Sequence, residues 1–232
     1  MQLIEVSVTG VRSAVITLES AATPMRIVLF PMLHLGTPKF YRSVTARLAK
    51  SGLIVAEGVS GKSIAVAALT LAYRLPARRR RLGLTVQKID YTSLGVPVIR
   101  PDLTGPQFRT GWRSVPWLQR TAAWCLVPPF ALAFALLGTR RTLSRYLDGG
   151  DLPTYLDGQL RHALPELTGL IVDRRDALLV DCLVSLHQAH QGERLDVAVV
   201  YGAAHMPAVT RELLRRYGYR PRTAEWLTVF DF

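Results

Sequence analysis

Two histidines and one glutamate stand where a sheet could bring them together: His34, Glu57 and His205. Each follows a short apolar run and precedes a turn. Before His205 the run is Val197 to Tyr201, followed by Gly202-Ala203-Ala204. An unbroken apolar run bounded by glycine reads as a buried strand. Gly202 and the two alanines let the backbone approach whatever lies at the strand's end. Pro207 suits the first turn of a following helix, where its missing N–H leaves nothing unsatisfied. Two imidazoles and a carboxylate suit a divalent metal with open coordination positions. Glu57 could instead take a proton from water as a general base. Spacing alone leaves both roles open. The plain alternative for a histidine at such a junction is a helix cap or a structural hydrogen bond.

The elements that must position these residues follow from periodicity. Residues 3–9 and 12–19 alternate around Gly10, which predicts an antiparallel hairpin. Met25 to Leu33 is apolar enough for a central strand, and it delivers His34. Thr37 is a natural N-cap and Pro38 a natural first helical residue, so a helix should run to about Lys50. Leu53 to Ala56 is a short strand ended by Glu57 and turned by Gly58, with a helix from about Lys62 to Leu75. Two such βα units in succession imply parallel strands with right-handed crossovers.

Further on, Leu84 to Leu94 reads as helix, and Val96 to Ile99 as a short strand ending near Pro101-Asp102. Leu167 to about Gln191 reads as a long helix. The last helix runs from about Ala208 to Tyr217 and is stopped by Gly218. Glu225 to Phe230 closes as a strand. The fold class expected is α/β: a mixed, largely parallel sheet, helices on both faces, and a mostly helical insertion over residues 104–165. In such sheets ligands bind at the C-terminal strand ends, where His34, Glu57 and His205 all fall.

The chain carries a formal charge of +12, nearly all of it from arginine, which favours acidic partners. The densest run, Arg78 to Arg81, has no interleaved aromatics. That reads as a solvated loop and argues against a nucleic-acid platform. Cys125 and Cys182 have no metal or redox spacing, which suits a reducing compartment. The first ten residues lack the basic and apolar regions of a signal peptide, so the expectation is a cytoplasmic protein.

From Thr121 to Thr139 no residue is charged, a length at the threshold for a transmembrane helix. Pro128-Pro129 should split it into two short halves. A single crossing would also put His34 and His205 on opposite sides of a bilayer. The segment is therefore read as a broken helical hairpin that meets a membrane surface or a second copy of the chain.

These motifs, taken in order, resemble the TraB / PrgY / GumN family, which is related to the TIKI-type metal-dependent proteases. The resemblance spans about Met25 to Tyr219. Gly202-Ala203-Ala204-His205 is similar to the family's second GxxH motif, and Glu57 stands at its acidic position. Arg175-Asp176 matches its helix motif. In the first GxxH, Pro31 replaces the glycine while His34 is kept. The resemblance implies an α/β domain that hydrolyses a peptide with a divalent metal (manganese, cobalt or zinc). His34, His205 and Glu57 would hold the metal, with Glu57 alternatively the base. Arg175 would be an oxyanion or carboxylate clamp, and Asp176 would orient His205 or Arg175.

Two other patterns compete. Residues 56–63, AEGVSGKS, approximate a phosphate loop between strand and helix, but Ala56 replaces its first glycine. His187 and His190 lie three apart on a predicted helix and read as a solvated pair. Besides the metal-dependent hydrolase, the sequence thus leaves two alternatives. One is a non-catalytic protein that captures a small peptide in the same pocket; the other is a nucleotide binder.

Overall fold

The computed structural model describes residues 1–58, 74, 77–144 and 162–232. Its centre is a mostly parallel sheet flanked by helices. The seven strands are β1 (Ile4–Val6), β2 (Gly10–Ser20), β3 (Thr23–Met32), β5 (Leu53–Ala56), β7 (Val98–Ile99), β8 (Asp196–Gly202) and β9 (Arg220–Asp231). Their order is β1-β2-β3-β8-β5-β7, with β9 also paired to β2. Pairings of β2 are antiparallel, while β3, β8, β5 and β7 run parallel.

β8 is the middle of the parallel part. Val197, Ala198, Val199, Val200 and Tyr201 are wholly buried, which is why the run carries no alternation. Val199 stands opposite Leu29 on one side and Val55 on the other. This register stops β3, β5 and β8 at one edge, so the residues that follow them come out together.

Thr37 caps α1 (Pro38–Leu48), its Oγ1 accepting the Phe40 N–H. Phe40, Tyr41, Val44 and Leu48 bury one face of that helix. The long helix expected near the end is a continuous path of α5 (Pro165–Thr168), a π turn (Gly169–Asp173) and α6 (Arg174–His190). α7 (Met206–Tyr217) ends at Gly218, whose φ of 68° is a left-handed cap. Between the sheet strands and α5 lie α2 (Gly105–Ser114), α3 (Trp117–Leu137) and α4 (Arg140–Ser144). Leu103, Phe108, Val115, Ala123, Leu167 and Leu170 form a small apolar cluster of their own beside the main core.

Three expectations need correction. Leu84 to Leu94 is not a helix. It holds β6 (Thr85–Val86), paired antiparallel with β4 (Leu35–Gly36), and a 3-10 turn over Thr92–Leu94. The Asp90 carboxylate accepts the Thr92 N–H and hydroxyl, a local bond that competes with a helix ladder. Pro128 and Pro129 do not split the apolar segment, because α3 runs through both. They deprive the carbonyls of Trp124 and Cys125 of helical donors, and both residues are exposed, where water serves instead.

His187 is not solvated either. It is buried, stacks on Tyr217 at 3.8 Å and lies 3.2 Å from the Tyr219 hydroxyl; His190 pairs with Glu193. The helix expected at residues 62–75 and most of the phosphate-loop pattern lie outside the described residues. Among the described residues no helix is long and apolar enough to cross a membrane.

Gly10 sits where β2 meets β9. A Cβ there would stand 2.4 Å from the Phe230 carbonyl oxygen and 2.9 Å from the Asp231 Cα. Backbone cannot yield as a side chain can. Gly10→Ala is therefore expected to lower stability by about 1–3 kcal/mol, read as a lower denaturant midpoint at unchanged slope.

Candidate active site

His34, Glu57 and His205 emerge from the C-terminal ends of β3, β5 and β8. A fourth residue, Asp102, follows the end of β7, and Arg175 and Asp176 open α6. Topology thus brings six polar side chains to one edge of the sheet.

Arg175 is the hub. Its Nε and Nη2 donate to the two oxygens of Asp102 at 2.8 and 2.7 Å, a bidentate pair. Nη2 also donates to Glu57 Oε1 at 2.6 Å. The other Glu57 oxygen accepts the Gly202 N–H at 2.6 Å. Asp102 is further held by the N–H groups of Gly58 (2.9 Å) and Leu103 (2.7 Å). Side-chain exposure is 1% for Asp102, 11% for Glu57 and 13% for Arg175, so the three charges meet largely out of water.

The titration of these groups follows from that arrangement. Burial alone would raise Glu57, but the charges of Arg175, His205 and His34 outweigh it and hold the carboxyl below its ordinary pKa. Burial likewise opposes Asp102, and its bonds to Arg175 and to two backbone amides lower it. Arg175 moves upward, its two carboxylates overcoming the loss of water. Glu57 is therefore an ionised carboxylate at neutral pH and a weak proton acceptor.

His205 makes no capping bond at the start of α7. Its Nδ1 lies 2.6 Å from Asp176 Oδ1 instead. A carboxylate only accepts, so Nδ1 carries a proton in this contact. Nε2 faces Glu57 Oε1 at 3.9 Å. Tyr201, buried in β8, sets its ring edge-on to the imidazole at 5.6 Å and anchors its hydroxyl on the Pro101 carbonyl at 3.0 Å. Gly202 explains the first residue of the GxxH pattern. A Cβ there would crowd Glu57 Oε2 at 3.3 Å and His205 Cδ2 at 3.5 Å.

His34 stands at the outer side of the group and is exposed. Its backbone carbonyl accepts the Gln87 N–H at 2.9 Å, just past the β4–β6 pairing. The irregular segment that replaces the expected helix is thus what fixes the His34 loop. Although the residue reaches solvent, the protein packed around it takes enough water from the ring to lower its pKa; Glu57 pulls the other way, and Arg175 and His205 lower it further. His34, Glu57 and His205 consequently sense one another's charge.

For a divalent ion the donor chemistry fits: two imidazoles and a carboxylate that still has lone pairs beyond its two bonds. Among the described residues, however, no three His, Cys, Asp or Glu side chains are gathered as a closed metal-holding group. Arg175 departs from its expected role as a clamp on substrate, because Nε and Nη2 are committed to Asp102 and Glu57 and Nη1 leans toward the Ile171 carbonyl. It positions Glu57.

Asp102 and Tyr201 were not singled out from sequence. A strand of only two residues gives too little pattern to mark Asp102, and Tyr201 looked like one more apolar residue of β8. Gly58, part of the phosphate-loop pattern, turns its N–H to Asp102. Comparison with family profiles, curated proteins and solved structures finds no match to the chain.

Removing Asp102 leaves a buried guanidinium with half its partners. Asp102→Ala should cost about 3–5 kcal/mol of stability, the scale for breaking a buried ion pair. The pH dependence has a defined sign. Asp102 and Glu57 titrate lower in the folded chain, so the unfolded chain takes up protons first as pH falls. Their stabilisation is complete above about pH 4, the unfolded carboxylate range, and is lost as pH drops through the lowered folded values. Thermal unfolding between pH 7 and 3 should show a steep acid limb in the parent, and a shallower one in Asp102→Asn.

Proposed function

We propose that this chain is a hydrolase and that His205 Nε2 is its reactive atom. The observation that carries this is the alignment Asp176–His205–Glu57, with Nδ1 held at 2.6 Å and Nε2 turned to an ionised carboxylate at 3.9 Å. Asp176 fixes the tautomer and stabilises the imidazolium when Nε2 takes a proton from water. Glu57, kept ionised by Arg175, stabilises the same positive charge from the other side. Imidazole is the side chain suited to that proton near neutral pH. The resemblance to TraB / PrgY / GumN proteins supplies the substrate class, a peptide.

A metal-assisted version is favoured by the same Asp176 contact, because a carboxylate on one ring nitrogen commonly orients the other toward a metal. A divalent ion would be held by His34, His205 Nε2 and Glu57, and would polarise the carbonyl and activate water. Nε2 has one lone pair, so it serves as ligand or as proton acceptor and not both.

The test combines metal content with turnover on a peptide library, with and without added manganese, zinc or cobalt. His205→Ala should abolish turnover while leaving the chain folded. Asp176→Asn should lower kcat/KM by about 10–100-fold. Metal bound by the parent and lost in a His34→Ala, His205→Ala variant selects the ligand role. Turnover without bound metal selects the proton-acceptor role. A folded parent that binds peptides without turnover overturns the hydrolase in favour of a peptide-binding protein.

A further inference from the structure

α3 turns much of its apolar surface to solvent. Trp117, Trp124, Leu126, Leu132, Leu136 and Leu137 are all exposed, Trp117 at 70% and Leu137 at 78%. These positions cover more than half of the helix circumference. Ala123 joins the helix to the small apolar cluster. At 1.5 Å per residue the exposed rod is about 30 Å long. Exposed apolar side chains spread along that length of a folded chain mark an interaction site.

Both ends of the rod are basic. At the C-terminal end, Arg81 donates to the carbonyls of Leu136 (3.2 Å) and Gly138 (3.1 Å), and Arg140 donates to the Leu82 carbonyl at 2.7 Å. These bonds hold Arg81, the last of the run Arg78 to Arg81, against the end of α3, and tie Arg140 to the neighbouring turn. At the other end stand Arg109 and Arg113 of α2 and Arg120 of α3 itself. Among the described residues, acids are sparse there. Glu166 is engaged by the Gln119 amide, and Asp231 offers Arg140 its backbone carbonyl.

We propose that α3 docks this protein onto a lipid bilayer bearing anionic headgroups. The leucines enter the acyl boundary and the flanking arginines meet the phosphates. Trp117 and Trp124 have the amphipathic rings that settle at the headgroup level. Apolar contact together with a basic patch gives the two signals that stable peripheral binding requires. Charge selects lipid over a second copy of the chain. Pairing two copies through α3, parallel or antiparallel, sets arginine-bearing ends against each other, whereas an anionic surface complements both. The docking is independent of the hydrolase reading.

The experiment is co-sedimentation of the full chain with vesicles of phosphatidylcholine alone, or mixed with phosphatidylglycerol. Binding to the mixed vesicles, a blue shift of tryptophan emission and weakening by salt are expected. The exposed-site variant Leu126→Ser, Leu132→Ser, Leu136→Ser should lose binding with an unchanged circular dichroism spectrum. Arg79→Ser, Arg80→Ser should bind about thirty-fold more weakly, on the scale of 1 kcal/mol per arginine at an anionic surface. No sedimentation with either vesicle overturns the proposal. Equal binding to both overturns its anionic selectivity. A dimer by light scattering that the leucine variant dissociates overturns it in favour of self-association.

Discussion

The structure turns on one buried guanidinium between two carboxylates. Arg175 neutralises only one of the two, and Asp176 adds a third carboxylate beside it. Glu57, Asp102 and Asp176 against Arg175 sum to about −2, and Arg100, which reaches the Glu57 carbonyl at 3.5 Å, brings the edge of the sheet to about −1 before either histidine gains a proton. That is a local anionic site in a chain whose total charge is +12. Isolated carboxylates could not stay ionised out of water, so every element bearing one is obliged to meet a partner. β5 and β7 must end level, α6 must begin at that edge, and Gly58, Leu103 and Gly202 must point their N–H groups inward.

The same constraint assigns roles. Glu57 is held ionised and gripped at both oxygens, so it acts through its charge. His205 turns Nε2 toward that charge at 3.9 Å. Gly202 gives its N–H to the Glu57 carboxylate, and a Cβ there would press on that oxygen at 3.3 Å. In the GxxH spacing the glycine thus meets the acid, and two small residues carry the chain round to the histidine. Pro31 lies within β3 opposite Tyr201, and the strand delivers His34 past its end.

Most of this edge was legible in the sequence because buried parallel strands write themselves as unbroken apolar runs. His34, Glu57 and His205 each terminate such a run, and the structure places all three where the runs end. The α7 cap at Gly218 and the α1 cap at Thr37 were legible for the same local reason. What was hidden depended on distance in the chain. Asp102 owes its place to Arg175, 73 residues away, and no local pattern announces that bond. The segment from Leu84 to Leu94 misled because its leucines and isoleucine mimic a helix, while its pairing with β4 is long-range. His187 looked solvated because its aromatic cover comes from Tyr217 and Tyr219, across a turn.

The path through α5, the π turn and α6 explains why Arg175 and Asp176 can face the site at all. Leu167 and Leu170 bury in the small apolar cluster, whereas Leu179, Leu183 and Leu186 bury in the main core. From Leu170 to Leu179 is about two and a half helical turns, so the two apolar faces look in nearly opposite directions. The rod therefore passes between the cores. Its charged stretch Asp173 to Asp176 falls at the changeover between the two clusters. The π turn over Gly169–Asp173 widens the helix as it enters that stretch, and Gly111 lets α2 approach, since a Cβ there would stand 2.4 Å from Leu170 Cδ1. Asp173 and Arg174 reach solvent, but Arg175 and Asp176 are largely covered and need partners that neither core supplies. The ends of β5, β7 and β8 supply them, and the candidate active site is the place where that demand is met.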